Sequence, residues 1–429
     1  MFWRNKTRLP ETLNICIIAR YFPILGRAAD HGFLWPIAKG LAKAGHKVTV
    51  ISWKNPQGKD LIEKDGVSAH FIGNKETSDL RINDLFNAKF KALHTENPFH
   101  IAHCIDRHGI AVARRRKAYK VAVAFDSDAT DMSQLFAIMG MAQDSVSDLV
   151  RTGIAMVYKF AATYLRGDRK VLNSADGVFV TSPQQRVVLE RYYMYPELKT
   201  YIVPYGIEIG DLAEREKSSE LRESLKVPGN SPVVMTFTDM SELEDVLNIL
   251  KAFEKVTIKK PSARLIIVGN GPLKRQLQYE MLQLALGSKV VFAGAIRNVD
   301  IPDYISLADV FVDLSSRTTG FEPGLIEAMA QKKVIIGSEV SPISTIVEDG
   351  QDGFLIRPAD RASLAHLIIK VFTEQVSANE VGEKARKKVV ELFDVDNMVE
   401  QTIDAYGRIL LSTGRYREND LVDYLKAEA

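Results

Sequence analysis

Residues 263–272 read Ala-Arg-Leu-Ile-Ile-Val-Gly-Asn-Gly-Pro. An apolar, β-branched run that ends in Gly-x-Gly predicts a strand turning tightly into a helix, which we expect to begin near Leu273. Such a turn can bring backbone N–H groups close to a ligand, although the third glycine of the dinucleotide-binding pattern is missing. The stretch therefore predicts one strand–helix unit of a parallel α/β sheet.

Similar units recur on both sides of this stretch. Short apolar runs alternate with segments of helical period, which is typical of doubly wound parallel sheets. The first series has strand candidates at 14–19, 46–52, 67–72, 101–103, 121–125, 178–181 and 200–203, and the second at 233–238, 264–269, 290–294, 310–314, 334–337 and 353–356. The fold class predicted is α/β, with two doubly wound Rossmann-like domains facing a central cleft, because open sheets bind ligands beyond the carboxyl ends of their strands.

The predicted domain boundaries follow this alternation. The first domain comprises residues 1–206, with a helical insertion at about 130–170, and the second comprises residues 207–405. The C-terminal helices, residues 406–429, are expected to return to the first domain. The insertion either packs on the domain core or forms a lip for an apolar acceptor.

Composition is that of an ordinary globular protein, with 46% hydrophobic and 26% charged residues among 429. Cys16 and Cys104 lie in apolar runs, which predicts buried reduced thiols and a cytoplasmic location. The sequence contains neither a secretory h-region nor an apolar run of membrane-spanning length, so we expect any membrane contact to be peripheral, on the inner face.

The nearly neutral net charge of +2 conceals an asymmetry. Lys and Arg exceed Asp and Glu by nine before residue 210, whereas the acids exceed the bases by seven after it. Residues 107–120 are especially basic and predict an anionic membrane surface as a partner, through Arg114, Arg115, Arg116 and Lys117. A solvated helix face is the alternative, and no nucleic-acid-binding signature accompanies the patch.

The densest motif is residues 315–330, Ser-Ser-Arg-Thr-Thr-Gly-Phe-Glu-Pro-Gly-Leu-Ile-Glu-Ala-Met-Ala. Pro323 suits the first turn of a helix beginning near Glu322, whose N–H groups can receive a phosphate. Gly320 and Gly324 allow close approach to the backbone. Glu327 can accept hydrogen bonds from a sugar diol, or it can simply favour the helix dipole.

Taken with several other stretches, this motif makes the chain similar to the two-domain (GT-B fold) glycosyltransferases of glycosyltransferase family 4. The resemblance covers nearly the whole chain and rests on the order and spacing of motifs at residues 21–23, 40–50, 175–183, 204–208, 265–272, 308–312, 320–330 and 346–355.

The resemblance implies a retaining hexosyl transfer, with a nucleotide-sugar donor held by the second domain and an acceptor held by the first. Family members carry a Glu-x(7)-Glu pair in which the second carboxylate binds ribose. Glu327 matches that position, but Thr319 stands in place of the first carboxylate. The predicted catalytic residues are Glu327, Thr319 and Asp126. Taken together with the motifs above, the predicted donor-binding residues are Gly26, Arg27, Gly269, Gly271, Arg297, Arg317, Gly320, Phe321, Glu322, Pro323, Gly324, Leu325 and Glu327.

A second departure concerns the phosphate-binding cations. Family members place an Arg and a Lys after the first strand of the second domain, where this chain has Asp239 and Glu244. Charged hydrogen bonds contribute about 1.5–3 kcal/mol each, so this exchange should weaken diphosphate binding. Candidate replacement cations are Arg317, Arg297, Lys274 and Arg27.

On the acceptor side, the resemblance aligns Asp126 with a position often held by His near the reaction centre. A carboxylate there could orient or deprotonate an acceptor hydroxyl, or it could cap the next helix. Asp126 and Asp128 also imitate a metal-binding Asp-x-Asp motif, but the implied fold generally needs no metal, so we expect neither metal nor cofactor. His31, Gly32 and His103 are further candidates for the cleft.

The predicted function is therefore a metal-independent retaining glycosyltransferase that acts on a lipid-linked or cell-envelope polysaccharide acceptor. Thr319, Asp239 and Glu244 motivate an alternative, a catalytically silent homologue that binds a glycan or a partner. A related enzyme that catalyses phosphorolysis or epimerisation is a third hypothesis.

Overall fold

The computed structural model describes residues 8–24, 32–54, 58–73, 81–105, 107–126, 130, 153, 157–158, 167–212, 214–314, 323–340, 342–357 and 359–416. The chain divides into two compact units: unit 1 comprises residues 1–206 and 395–429, and unit 2 comprises residues 207–394. The chain thus returns to unit 1 at Val395, whereas the sequence analysis placed this return at residue 406. The reason is that the whole helix Val395–Ser412 packs in unit 1, so the boundary falls before the helix and not within it.

Unit 1 contains an eight-stranded sheet in the order β3-β4-β2-β1-β5-β6-β7-β8, parallel except for the antiparallel edge strand β3. Its strands are β1 Asn14–Ala19, β2 Lys47–Lys54, β3 Leu61–Lys64, β4 Val67–Gly73, β5 Ile101–Ile105, β6 Ala122–Asp126, β7 Gly177–Val180 and β8 Thr200–Ile202. Its helices are α1 Leu34–Lys43, α2 Ile82–Glu96, α3 Ile110–Arg114, α4 Arg116–Tyr119, α5 Asp168–Leu172, α6 Pro183–Tyr193 and, after unit 2, α15 Val395–Ser412, with a 3-10 turn at Glu197–Lys199.

Unit 2 contains a six-stranded parallel sheet in the order β11-β10-β9-β12-β13-β14. Its strands are β9 Val233–Phe237, β10 Arg264–Val268, β11 Val290–Gly294, β12 Val310–Asp313, β13 Val334–Ser338 and β14 Phe354–Ile356. Its helices are α7 Ser219–Ser224, α8 Leu243–Lys259, α9 Lys274–Gln283, α10 Ile301–Leu307, α11 Pro323–Ala330, α12 Ile343–Ile346, α13 Arg361–Thr373 and α14 Gln375–Leu392, with 3-10 turns at Ile209–Leu212 and Asn298–Asp300.

Two parallel-sheet α/β domains therefore confirm the predicted fold class. Each predicted strand is present within one or two residues at either end, because buried β-branched runs are the strongest local signal in the chain. Strand β3 was not predicted, because this four-residue edge strand is mostly exposed and therefore lacks an apolar run. Most of the predicted helical insertion at 130–170 lies outside the described residues.

The hydrophobic cores lie where the sheets meet their helices. In unit 1, α1 buries Leu34, Ile37, Ala38 and Leu41, a stripe of helical period. Cys16 and Cys104 are buried free cysteines, as predicted. Burial raises the pKa of both thiols, which keeps them protonated and unreactive.

Candidate functional site

The strand order of unit 2 reverses between β9 and β12, which marks the carboxyl ends of these strands as the expected ligand position. The described residues at this edge are the loop 238–242 after β9, the loop 269–273 after β10, and α11, which follows β12. The three segments carry most of the donor-binding candidates that the structure describes.

Gly269 and Gly271 allow two loops to touch through their backbones. Gly269 has φ +126°, and a Cβ there would lie 1.8 Å from the carbonyl oxygen of Thr238. A Cβ on Gly271 would lie 1.6 Å from the carbonyl oxygen of Asp239. The structure therefore accounts for both glycines by loop packing within unit 2, and their contact with a donor stays a prediction.

Helix α11 begins at Pro323, close to the predicted start. Gly324 faces the ring of Phe237 at the end of β9, and Leu325 is fully buried, so any donor contact of Leu325 would use its backbone. Glu327 is 9% exposed and lies one turn into the helix. Glu327 is therefore largely shielded from bulk water.

Several predicted site residues lie outside the described residues. On the donor side these are Gly26, Arg27, Arg317, Thr319, Gly320, Phe321 and Glu322; His31 and Asp128 on the acceptor side lie outside them as well. Gly32, at the edge of the described region, precedes α1. The roles assigned to these residues stay predictions.

The first turn of α8 is acidic, as the sequence suggested. Asp239 is exposed, and its Oδ1 accepts hydrogen bonds from the N–H of Ser241 at 3.1 Å and from its hydroxyl at 2.7 Å. Glu244 and Asp245 lie in the first helical turn, where negative charge favours the helix dipole. A donor diphosphate bound at this N-terminus would meet carboxylates in place of cations.

A cation that the sequence analysis did not consider lies beside this acidic turn. Arg361, the first residue of α13, donates from Nε to Oδ1 of Asn248 at 2.6 Å. A terminal guanidinium nitrogen of Arg361, Nη2, lies 3.8 Å from Oε2 of Glu244. Arg361 meets Asn248 and Glu244 because α13 packs against α8, although more than 100 residues of sequence separate them. No local sequence motif predicts these contacts.

Of the other candidate cations, Arg297 is exposed and makes two hydrogen bonds to Asp300, at 2.7 and 2.8 Å. This pairing raises the pKa of the guanidinium and lowers that of the carboxyl. Lys274 is the half-buried first residue of α9.

In unit 1, Asp126 ends β6 at the carboxyl edge of the sheet and is 4% exposed. The hydroxyl of Tyr205 donates a 2.7 Å hydrogen bond to its Oδ1. Its Oδ2 lies 3.8 Å from Nε2 of His103 on the neighbouring strand β5. The structure thus brings together two residues from the sequence analysis, Asp126 and His103, with Tyr205, which it did not single out as a site residue.

The network continues to helix α15. Nδ1 of His103 lies 2.6 Å from the hydroxyl of Tyr406, which is fully buried. The His103 ring also stacks on Phe179 of β7, with centroids 4.9 Å apart. Burial lowers the pKa of His103 to about 3, so the imidazole is neutral at physiological pH despite the nearby carboxylate.

Tyr205 is itself held by an aromatic contact. Its ring stacks on Phe33 with centroids 3.6 Å apart and planes 6° from parallel. Tyr205 lies just before the chain leaves unit 1, and Tyr406 lies within α15, after the chain has returned. Nothing local in the sequence indicates that Tyr205 meets Asp126 or that Tyr406 meets His103.

The basic segment of unit 1 is only partly free for binding. Arg114, Arg115 and Lys117 are exposed, but Arg116 is half-buried and donates from Nε to Oδ1 of Asp176 at 3.1 Å. Oδ2 of Asp176, the residue before β7, accepts from the N–H of Val123 near the start of β6. The segment therefore lies at the amino ends of the strands, at the opposite edge of the sheet from Asp126.

Groups of three His, Cys, Asp or Glu side chains arranged to hold a metal ion do not occur within the described ranges. Ser127 and Asp128 fall outside those ranges, so the Asp-x-Asp question stays untested. In the described part of the chain, every helix is too short or too polar to cross a bilayer.

The second of the two doubly wound domains carries a near-buried glutamate one turn into the helix after its fourth strand, and this architecture is that of the two-domain glycosyltransferases. The family model for glycosyl transferases group 1 matches residues 217–388, and the model for the glycosyl transferase 4-like domain matches residues 33–206. The chain belongs to this family, the two-domain GT-B glycosyltransferases of the family 4 type, as the sequence analysis predicted.

Curated relatives are about one quarter identical to this chain in sequence over the aligned regions. N-acetyl-alpha-D-glucosaminyl L-malate synthase of Bacillus anthracis is 24% identical over 45% of this chain and 49% of its own length. UDP-Gal:alpha-D-GlcNAc-diphosphoundecaprenol alpha-1,3-galactosyltransferase of Escherichia coli is 26% identical over 60% of this chain and 65% of its own. The chain thus spans between about half and two thirds of these relatives.

Solved structures show the same fold. A sucrose-phosphate synthase from Thermosynechococcus elongatus superimposes with a TM-score of 0.71 at 20% identity, covering 97% of this chain and 100% of that one. Anabaena HepE, in complex with UDP and glucose, gives a TM-score of 0.69 at 17% identity, covering 91% and 98%. At such identities the likeness establishes the fold and not the substrate.

Proposed function

We propose that this protein is a retaining glycosyltransferase that moves a hexose from a nucleotide-sugar donor, bound by unit 2, to a lipid-linked or polysaccharide acceptor, bound by unit 1. The observation that carries the proposal is Glu327, held 9% exposed on α11 beyond the strand reversal of unit 2. A carboxylate in this position can accept both hydrogens of a ribose diol.

The relatives support the choice of substrates. One is described as a UDP-galactose transferase acting on a diphosphoundecaprenol-linked sugar, and HepE was crystallised with UDP-glucose. The acidic turn at Asp239 and Glu244 opposes tight binding of a diphosphate in the manner implied by the family resemblance. We therefore propose a donor whose affinity depends mainly on nucleoside contacts, with Arg361 partly offsetting the charge of Glu244.

The acceptor site is proposed at Asp126. Its carboxylate lies at the carboxyl end of β6 and can orient or deprotonate an acceptor hydroxyl. We further propose that the exposed cations Arg114, Arg115 and Lys117 bind anionic lipid. These cations lie at the amino ends of the strands of unit 1, whereas Asp126 lies at the carboxyl end of β6, five strand residues or about 16 Å away. This separation favours acceptors in which the reacting sugar is held at a distance from the membrane.

The test is titration calorimetry with UDP-, GDP- and ADP-sugars, followed by a transfer assay with the donor that binds. Glu327→Gln keeps the shape of the side chain but removes its charge, and we expect it to weaken donor binding by about tenfold or more. Glu380→Gln, at an exposed position of α14, is the matched control and should bind as the parent does. Absence of binding to every donor would refute the proposal.

A transfer assay also separates the competing hypotheses. Glycosyl transfer that Glu327→Gln abolishes excludes a catalytically silent homologue, and release of sugar 1-phosphate with inorganic phosphate would indicate phosphorolysis. Retention is checked by the anomeric configuration of the product. Activity that survives EDTA would support a metal-independent reaction.

A further inference from the structure

The imidazole of His103 stands between two oxygen atoms that come from other elements of unit 1. Its side chain is 2% exposed, with Nδ1 at 2.6 Å from the hydroxyl of Tyr406 and Nε2 at 3.8 Å from Oδ2 of Asp126. Nε2 is buried, and no atom of the described residues forms a hydrogen bond with it. Nothing in the proposed function above assigns a role to His103 or Tyr406.

A neutral imidazole carries one N–H, and the surroundings decide which nitrogen holds it. If Nδ1 held the proton, the lone pair of Nε2 would point towards a carboxylate in a buried site, which is electrostatically unfavourable. If Tyr406 donates its hydroxyl proton to Nδ1, the N–H at Nε2 faces the carboxylate instead. The second arrangement gives Nδ1 a hydrogen-bond donor and places an N–H, in place of a lone pair, beside the Asp126 carboxylate.

We propose that His103, held by Tyr406, is a positioning residue for Asp126 and carries its proton on Nε2. The positive edge of the imidazole then lies beside Oδ2, while Tyr205 donates to Oδ1. The two carboxylate oxygens of Asp126 thus have different polar neighbours, the Tyr205 hydroxyl at Oδ1 and the His103 ring at Oδ2. The arrangement holds Asp126 in one rotamer and favours its ionised form, which a general base requires.

The two supports come from different segments of the chain. Tyr205 lies just before the point where the chain leaves unit 1, and Tyr406 lies on α15, after the chain has returned. Helix α15 packs against β6, the strand that carries Asp126. Correct docking of the C-terminal helix therefore sets the orientation of a residue at the acceptor edge.

The direct test is the tautomer of His103 in the full-length protein with ¹⁵N-labelled histidine, read from long-range ¹H–¹⁵N correlations and assigned with His103→Gln. We expect the Nε2–H form in the parent protein. Tyr406→Phe removes the donor to Nδ1 and should bring a measurable Nδ1–H population. The Nδ1–H form in the parent protein, or an unchanged pattern in Tyr406→Phe, would overturn the proposal.

A matched control exists in the same unit. Tyr193 is also buried and donates a 2.7 Å hydrogen bond to a different aspartate, Asp168. Tyr193→Phe should therefore reproduce the loss of a buried Tyr–Asp hydrogen bond without changing the His103 tautomer. A tautomer change as large as that in Tyr406→Phe would show a general loosening of unit 1 and contradict a positioning role.

The kinetic consequence rests on the proposed function, in which Asp126 serves the acceptor. Tyr406→Phe should lower kcat about three- to tenfold, the equivalent of one hydrogen bond, while the donor KM stays unchanged. Tyr193→Phe should leave both constants unchanged, and an equal fall in kcat there would count against the proposal. If the parent protein transfers no sugar, the proposed function fails, while the tautomer measurement still decides the positioning of Asp126.

Discussion

Gly324 on α11 lies directly against Phe237 at the end of β9: a Cβ at Gly324 would come within 2.8 Å of Cδ2 of the ring. The Phe237 ring also packs edge-on against Phe311 of β12, with centroids 5.3 Å apart. The contact between Gly324 and Phe237 sets the distance between α11 and the sheet. It thereby places Glu327, three residues further along the helix.

We first predict that Gly324→Ala destabilises unit 2. Alanine improves helix propensity by up to about 1 kcal/mol, but forcing a methyl group into a packed contact costs about 1–3 kcal/mol, so the clash should prevail. Urea unfolding should show a net loss of about 1 kcal/mol. Gly210→Ala, where a Cβ would meet none of the described residues within 4 Å, is the control and should be nearly neutral.

The second prediction concerns Gly271. Its added Cβ would meet backbone atoms of Asp239, at 1.6 and 2.7 Å, and these cannot rotate away as a side chain can. Gly271→Ala should separate the two loops, break the 3.2 Å hydrogen bond from Leu273 N–H to Met240 C=O, and lower stability by more than about 2 kcal/mol. Thermal unfolding indistinguishable from that of Gly229→Ala, which has open space around it, would contradict this.

The third prediction distinguishes the cations that we propose to bind lipid from Arg116, which forms an ion pair within unit 1. Replacing Arg114, Arg115 and Lys117 together by Ser should weaken co-sedimentation with anionic vesicles roughly 100-fold, at about 1 kcal/mol for each cation. Arg116→Ser should mainly lower stability, because it removes the partner of Asp176. Equal vesicle binding by the triple variant and the parent protein would exclude this surface as the membrane contact.

The fourth prediction is that the free energy of unfolding decreases in acid. Burial lowers the pKa of His103 to about 3, and it also lowers the pKa values of His46 and His100. Below about pH 6.5 the unfolded chain binds protons that the folded chain does not, so the free energy of unfolding falls as the pH falls from about 6.5 towards 3. His103 alone contributes up to about 1.4 kcal/mol per pH unit.

Chemical denaturation of the parent protein and of His103→Gln between pH 4 and pH 7 checks this prediction. The variant should show a shallower dependence of stability on pH, because one of the groups that protonates only on unfolding has been removed. Identical slopes would mean that His103 is already protonated in the folded protein.

Much of the fold was determined by the sequence alone. Runs such as residues 14–19 and 264–268 are apolar and β-branched, and burial on both faces of a parallel sheet requires that composition. The family assignment was equally readable, because its motifs keep their order along the chain and the family models match the same regions. Gly324 and Glu327 could be predicted as site candidates, since they lie within one such motif.

Only the tertiary structure decided which distant residues serve the same site. Tyr205 reaches Asp126 across 79 positions and Tyr406 reaches His103 across 303, and each contact depends on helices and strands that pack far apart in sequence. Packing likewise turned Arg116 from a candidate lipid contact into the partner of Asp176. Local sequence fixes which segments are buried, because burial depends on each residue's own polarity, whereas hydrogen-bond partners are set by the directions in which folded elements meet.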